Sequence, residues 1–217
     1  MTSDYIKTKM LDIDLVELKR VCYISYDLIK ENFTPDGKTD YSGQSTASTK
    51  LFAQYNLLTL LYPITNQLYF EIQKFFHEHC ESKEPHMIQS WLNFYRKGEF
   101  IDWHRHWKSA AKGWHGFICV SCEPSKTTYR LPPTHGFQVP TNLIDESQWE
   151  LQDIESKDGL IVLSESAGDL HRTWPWEYDE PRITIAFDII PTKHLETGTT
   201  GSFQMTKNNL INHWLPI

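Results

Sequence analysis

The first third of the chain repeats apolar residues at helical spacing. Residues 13–33 carry such a face and end in a loop rich in Pro, Gly, Ser and Thr. Two further helical segments are predicted, over about 49–61 and 64–80, with Pro63 between them because proline is poorly tolerated inside a helix. Residues 1–87 are therefore predicted to form a helical region that packs on the rest of the chain.

From residue 88 the pattern changes to short alternating runs separated by turn residues. Such runs predict β-strands near residues 88–96, 99–106, 115–121, 127–130, 136–139, 148–154, 159–164, 170–174 and 182–190. Short strands after a helical preface are typical of a β-sandwich or barrel with helices packed on one face. We expect a single domain overall, with a β core over 88–191 and a C-terminal tail over 192–217.

The last predicted strand shows the clearest alternation. One face is apolar and consists of Ile183, Ile185, Phe187 and Ile189. The other face consists of Arg182, Thr184, Ala186 and Asp188. An arginine and a threonine at the head of an inward face indicate that this face meets a polar partner.

Composition and charge narrow the function classes. The 217 residues carry a net charge of −7, which argues against tight binding to a nucleic-acid backbone. We find no secretory signal pattern and no apolar run long enough to span a membrane, so we expect a cytoplasmic protein, in a host cytoplasm if the chain is viral. Cys119 and Cys122 form a lone C-x-x-C, which we interpret as buried free thiols rather than half of a zinc site.

Three histidines are the candidate metal ligands. His104 and His106 are two residues apart in a predicted strand, so their side chains project to the same side. His171, from a distant strand, would complete a facial triad that leaves the opposite coordination positions open. Arg182 follows eleven residues after His171 and places a fixed cation nearby. The pattern indicates an iron enzyme whose co-substrate is an anion.

Other side chains are candidates for contacts with the ligands. Asn93 and Tyr95 alternate on one strand face upstream of His104, where a hairpin would bring them beside the metal to hydrogen-bond a small carboxylate. Candidates for contact with a substrate are Trp174, Trp176 and Arg130. We interpret His77, His79, His115 and His135 as residues that do not bind metal.

Residues 88–191 resemble the superfamily of 2-oxoglutarate/Fe(II)-dependent oxygenases. In that superfamily an H-x-D/E pair and a distal His bind iron, and a later basic residue binds the distal carboxylate of 2-oxoglutarate. His104, His171 and Arg182 match these positions, and Arg182-Ile183-Thr184 looks like the R-x-S/T pair that holds the same carboxylate. The order of Asn93 and Tyr95 before His104 is similar to that in AlkB-type and prolyl-hydroxylase-type members.

The resemblance implies both a fold and a reaction. The fold would be a double-stranded β-helix, a jelly-roll barrel related to the cupins, with the helices packed on one sheet. The cofactors would be Fe(II), 2-oxoglutarate as co-substrate and O₂, with release of succinate and CO₂. We expect hydroxylation of an amino acid, a peptide or another small polar substrate.

His106 stands where the superfamily usually has a carboxylate. The resulting H-x-H resembles a prolyl-4-hydroxylase-like group of bacterial and phage oxygenases. Two readings remain open: His106 is the third metal ligand, or water takes the position, as in aspartyl/asparaginyl hydroxylases that use only two histidines.

Two other function classes also remain open. The first class is a cupin-type metal-binding protein, whose first motif has the same glycine and H-x-H pattern. This chain lacks the glutamate that the cupin motif places three or four residues after His106, and the cupin pattern does not explain Arg182 and Thr184. The other class is an inactive β-barrel binding module. We expect a small-molecule or peptide partner, no membrane and no nucleic acid. The apolar end "LINHWLPI" leaves a homodimer open.

Overall fold

Two helices and nine strands make up the regular structure of the described residues. The structure is a computed structural model and describes residues 5–32, 46, 48–106, 113–131, 149–165, 169–193 and 214–217. The helices are α1 (Leu15–Asn32) and α2 (Pro63–His79), and two short 3₁₀ helices cover Thr49–Gln54 and Leu57–Thr59. The strands are β1 (Ile6–Met10), β2 (His86–Tyr95), β3 (Trp114–Ser121), β4 (Lys126–Leu131), β5 (Glu150–Glu155), β6 (Leu160–Glu165), β7 (Leu170–Thr173), β8 (Arg182–Pro191) and β9 (Leu215–Pro216).

The strands form two antiparallel sheets. The larger sheet has the order β1-β6-β3-β8-β2-β9, and the smaller has the order β5-β4-β7. The chain is mainly β, with helices packed on the larger sheet, as the sequence pattern predicts. No helix in the described parts of the chain is long and apolar enough to cross a bilayer.

Helix α1 begins where the sequence offers a cap. Asp14 accepts hydrogen bonds from the backbone N–H of Glu17 through its side chain and from that of Leu18 through its carbonyl. The buried residues then recur every three or four positions, so one face of the helix packs inward. These residues are Leu18, Val21, Cys22, Ser25, Tyr26 and Ile29.

The helices cover the apolar face of the larger sheet. Tyr26 of α1 stacks on Phe94 of β2 with ring centroids 4.2 Å apart, and Phe76 of α2 meets Trp114 of β3 edge-on. Phe94 lies opposite Ile183 in the β2–β8 ladder, so the isoleucine face of β8 points toward the helices. The opposite face of β8 is thereby left to point between the two sheets.

Several sequence predictions need correction. Residues 49–61 form two short 3₁₀ helices because Asn56 between them is extended and its side chain accepts from the backbone N–H groups of Leu58 and Ser90. Strand β1 was not predicted, because its centre is polar and obscures the alternation. The strand predicted over 136–139 lies outside the described residues, as do most of the tail and His135.

The strand predicted over 99–106 is also wrong. This segment forms no regular strand: it meets β7 through an isolated bridge between His104 and His171 and through a separate hydrogen bond from the backbone N–H of Thr173 to the carbonyl of Ile101. The Asp102 carboxylate accepts from the backbone N–H of Trp103, which draws the chain into a local turn instead of a ladder. The cysteine interpretation agrees with the structure: Cys119 and Cys122 are free and buried.

Substitution of Gly116 tests how closely β3 packs against β6 and β8. A Cβ at this position would clash with the backbone carbonyl of Val162 and with the ring of Phe187. We expect Gly116→Ala to lower the free energy of unfolding by about 1–3 kcal/mol, as overpacking does. Thr8→Ala, on the exposed side of the edge strand β1, is the control and should cost less than about 1 kcal/mol. Equal urea midpoints for the two variants would contradict the close packing.

Candidate metal centre

The space between the two sheets is a cavity lined by polar and aromatic side chains. It measures about 680 Å³ with its open mouth included. The larger sheet contributes residues of β2, β3 and β8, the smaller sheet contributes residues of β4 and β7, and the segment before β3 contributes the H-x-H pair. The lining includes Trp91, Asn93, Tyr95, His104, His106, His115, Thr127, His171, Thr173, Arg182, Thr184 and Asp188.

The three histidines singled out in the sequence converge at this cavity. One ring nitrogen from each of His104, His106 and His171 lies within 4.8 Å of the others. The ring centroids of His104 and His171 are 4.2 Å apart, and their backbones exchange two hydrogen bonds of 3.1 and 3.0 Å. The bridge between two chain segments therefore sets the spacing of the first and third imidazoles, even though no regular strand carries the H-x-H pair.

Hydrogen bonds orient two of these rings. His104 uses Nδ1 to bond the carbonyl oxygen of Asp102 at 2.8 Å, and His106 uses Nδ1 to bond Oδ1 of Asp188 at 2.5 Å. Since both partners are acceptors, each Nδ1 carries the proton and each Nε2 keeps its lone pair for a metal. The Nδ1 of His171 is buried and has no hydrogen-bond partner among the described residues.

Burial holds the imidazoles in the form that binds metals. Burial, assisted by the neighbouring His106, lowers the pKa of His104 to about 3. Burial and the other histidines also hold the pKa of His171 well below its ordinary value. Neutral imidazoles are common ligands of divalent iron, zinc and related ions. The residues present therefore fit a divalent transition metal.

A second, overlapping group shares His171. His115 of β3 and Asp169, which precedes β7, are buried and bonded at 2.8 Å, and Asp169 also accepts from Ser164 at 3.2 Å. Burial lowers the pKa of His115, but the charge and hydrogen bond of the Asp169 carboxylate raise it, and the net effect is a raised pKa. With His171 they could also hold a metal ion. Sequence reasoning set His115 aside, and the spacing of Asp169 and His171, two residues apart, was the signal that could have indicated this second group.

The far end of the cavity carries a buried cation. Arg182 is 2% exposed, its guanidinium lies 5.0 Å from the ring centre of Tyr95, and its Nε donates to Oγ of Ser125 at 3.0 Å. Its NH1 group is buried without a hydrogen-bond partner among the described residues. Burial raises the pKa of Tyr95 to about 12, so the phenol keeps its proton and can donate. This end of the cavity suits an anion with several oxygen atoms.

Asn93 and Thr184 lie between the two ends. They face each other across the β2–β8 ladder, and the Asn93 amide nitrogen donates to the Thr184 hydroxyl at 3.2 Å. The Asn93 oxygen accepts from the hydroxyl of Thr49 at 2.6 Å, a contact from the 3₁₀ segment that the sequence did not suggest. The predicted ligand-binding face, from Arg182 to Asn93, is thus assembled in one cavity.

The weaker substrate candidates lie elsewhere. Trp174 is 43% exposed and stacks on the guanidinium of Arg172, outside the cavity lining. Trp176 is buried behind Tyr95 and donates to the carbonyl of Glu180. Arg130 lies over the ring of Trp103, also outside the lining. The structure does not bring these three side chains to the histidines.

Comparisons with known proteins identify the fold. No protein-family model matches the chain, and no curated protein matches it. Among solved structures, a prolyl-4-hydroxylase from Pseudomonas putida superposes with a TM-score of 0.51 and 13% identity, over 86% of this chain and 94% of its own. AviO1 from Streptomyces viridochromogenes Tue57 superposes with a TM-score of 0.60 and 12% identity, over 86% and 90%.

A further match has ligands bound. The epimerase SnoN, in complex with Fe³⁺, alpha ketoglutarate and nogalamycin RO, superposes with a TM-score of 0.58 and 12% identity, over 87% of this chain and 79% of its own. Similarity at such identities shows the fold. The chain is a jelly roll, and the predicted double-stranded β-helix is confirmed.

The triad predicts the effect of removing each histidine. We expect His104→Ala and His171→Ala to weaken Co²⁺ binding by more than roughly 100-fold, since loss of a ligand should cost more than loss of a ligand's hydrogen-bond partner. Equilibrium dialysis of the metal-free protein measures this. His77→Ala, an exposed histidine of the other H-x-H string, is the control and should bind like the unmodified chain. Full affinity in His104→Ala would contradict the triad, and full affinity in His106→Ala would favour water at the third position.

Proposed function

We propose that this chain is a non-haem oxygenase that uses Fe(II), 2-oxoglutarate and O₂ to hydroxylate an amino-acid, peptidyl or other small polar substrate, releasing succinate and CO₂. The observation that carries the proposal is one cavity with three converging imidazoles at one end and a buried, incompletely bonded arginine at the other. The jelly-roll relatives support the general class, because several are described as non-haem or alpha-ketoglutarate-dependent enzymes.

His104, His106 and His171 would hold the iron. When bound, the iron supplies the activation of O₂ that drives oxidation of the substrate. The chain contributes the orientation of the ligands, through the carbonyl of Asp102 and the carboxylate of Asp188. Three protein ligands leave coordination positions for a 2-oxo acid and O₂.

Arg182 would hold the distal carboxylate of 2-oxoglutarate. Ser125 fixes its Nε and Tyr95 packs against its guanidinium, so NH1 is presented to a ligand with little loss of side-chain entropy. The protonated phenol of Tyr95 and the hydroxyl of Thr184 line the same space and can donate to carboxylate oxygens. Asn93 would act mainly by positioning Thr184, since both ends of its amide are bonded within the chain.

The choice of a polar substrate rests on the remaining lining of the cavity. Arg105, Thr127 and Thr173 add polar groups to its walls, while Trp91 stacks beside His106 with ring centroids 5.8 Å apart. The similar structures include an epimerase and a carbocyclase as well as a hydroxylase. The fold therefore does not select hydroxylation, and this part of the proposal rests on the substrate that the cavity binds.

Turnover of 2-oxoglutarate tests the class directly. We expect the anaerobic Fe(II) protein to develop a weak visible charge-transfer absorption on titration with 2-oxoglutarate, and to form succinate slowly when O₂ is admitted. The same titration with succinate in place of 2-oxoglutarate is the control and should give no such band. Absence of both the band and succinate in a protein that binds iron would contradict the oxygenase proposal and leave a metal-binding module.

Substitution of Arg182 tests the anion site. We expect Arg182→Ala to weaken 2-oxoglutarate binding roughly 10- to 150-fold, the equivalent of about 1.5–3 kcal/mol for a hydrogen bond to a charged group. Arg182→Lys should recover part of this loss, and metal affinity should change little in either variant. Arg20→Ala, on the exposed face of α1, is the matched control. Unchanged 2-oxoglutarate affinity in Arg182→Ala would remove this residue from the site.

A further inference from the structure

Asp188 is a buried carboxylate on the cavity side of β8, six residues after Arg182. It is 2% exposed, and its Oδ1 accepts a hydrogen bond from Nδ1 of His106 at 2.5 Å. The His106 side chain is itself only 10% exposed, so the contact is shielded from water. A carboxylate this deeply buried is expensive unless a charged or strongly donating group compensates it.

The contact fixes His106 in two respects. The ring is held with Nδ1 toward β8, so Nε2 faces away from the sheet. The hydrogen bond to an anion also increases the electron density on the imidazole, which makes it a stronger ligand. Stacking of the His106 ring on Trp91 and on His115, at centroid distances of 5.8 and 4.6 Å, restricts rotation further.

We propose that Asp188 is a positioning residue that supplies, through His106, the negative charge that a directly bound carboxylate would give to the metal. The inference rests on the proposed function and deepens it. It gives a physical reason for H-x-H at this site. The carboxylate of Asp188 would not bind the metal itself but would hydrogen-bond the imidazole of His106, which binds the metal in its stead.

The arrangement of the groups favours this role over direct coordination. Within the described residues, two sets of three side chains are close enough to share a metal. One set contains His106 and the other contains Asp169, and Asp188 belongs to neither. Asp169 differs from Asp188 because it pairs with His115 and Ser164 rather than with a member of the H-x-H pair. Asp188 is therefore the carboxylate through which charge reaches the H-x-H histidine.

Co²⁺ affinity of the Asp188→Asn variant tests the proposal without requiring turnover. The amide keeps the size of the side chain and removes its charge. We expect Co²⁺ affinity to fall about 10- to 100-fold, the range found when the hydrogen-bond partner of a ligand is lost. The visible spectrum of bound Co²⁺ should shift, while Arg182-dependent binding of 2-oxoglutarate to the metal-saturated protein is kept. Asp153→Asn, a carboxylate on β5 that pairs with Lys126 outside the cavity, is the matched control and should leave affinity and spectrum unchanged.

A double-mutant cycle separates positioning from a purely structural role. In a His106→Ala background, Asp188→Asn should cause no further loss of Co²⁺ affinity, because its effect passes through the imidazole. Equal losses from Asp188→Asn with and without His106 would overturn the proposal. So would a variant that unfolds more easily without metal but binds Co²⁺ as tightly as the unmodified chain.

A measurement on the unmodified chain covers the case in which Asp188→Asn does not fold. The Co²⁺ protein should show a slowly exchanging, paramagnetically shifted imidazole N–H resonance that disappears in His106→Ala. Rapid exchange of that proton would overturn the contact with a buried carboxylate. If the unmodified chain binds no Co²⁺, the proposed function and this inference both fall. If it binds Co²⁺ normally and the Asp188 tests fail, only this inference falls.

Discussion

Strand β8 is the constraint on which the remaining structure depends. It lies inside the larger sheet, between β3 and β2, and its pleat sends alternate side chains into two different environments. Ile183 and its apolar neighbours face the helices, while Arg182, Thr184 and Asp188 face the cavity. A register shift of one residue would place an arginine and an aspartate in the apolar layer, so the same ladder sets both the core and the candidate site.

The cavity concentrates polar groups whose burial opposes folding. Asp188 is compensated by His106, and Asp169 by His115. Arg182 and His171 retain buried nitrogen atoms without a partner among the described residues. Because an unsatisfied buried polar group costs about 1–3 kcal/mol, a ligand that bonded these two atoms would stabilise the protein. They lie at opposite ends of one cavity, which is what a metal and an anion held together would require.

The jelly roll by itself does not specify a reaction, because a fold hosts many sites. Solved structures with a similar fold, at 10–13% identity, include a prolyl-4-hydroxylase, an epimerase and a carbocyclase. At the second position of its H-x-H pair this chain carries an imidazole whose Nδ1 bonds a buried carboxylate. A site with His106 and the hydrogen-bonded carboxylate of Asp188 carries the same local charge as a site in which a carboxylate binds the metal directly. The two sites differ mainly in geometry, because the carboxylate of Asp188 lies on the Nδ1 side of the imidazole.

Periodicity in the sequence was sufficient for α1, α2 and the two faces of β8, because these depend on local spacing and on the pleat of a strand. The residue types and spacing of His104, His171 and Arg182 singled them out as site candidates, and the packing of the two sheets places all three in one cavity. The segment before β3 was predicted as a strand, but its conformation depends on isolated hydrogen bonds to β7 and on a local contact of Asp102, neither of which leaves a periodic signal. The partners of Asp188 and Asp169 were likewise hidden. Their carboxylates are 82 and 54 residues away in sequence from the imidazoles that they bind, and only the packing of the two sheets brings each pair together.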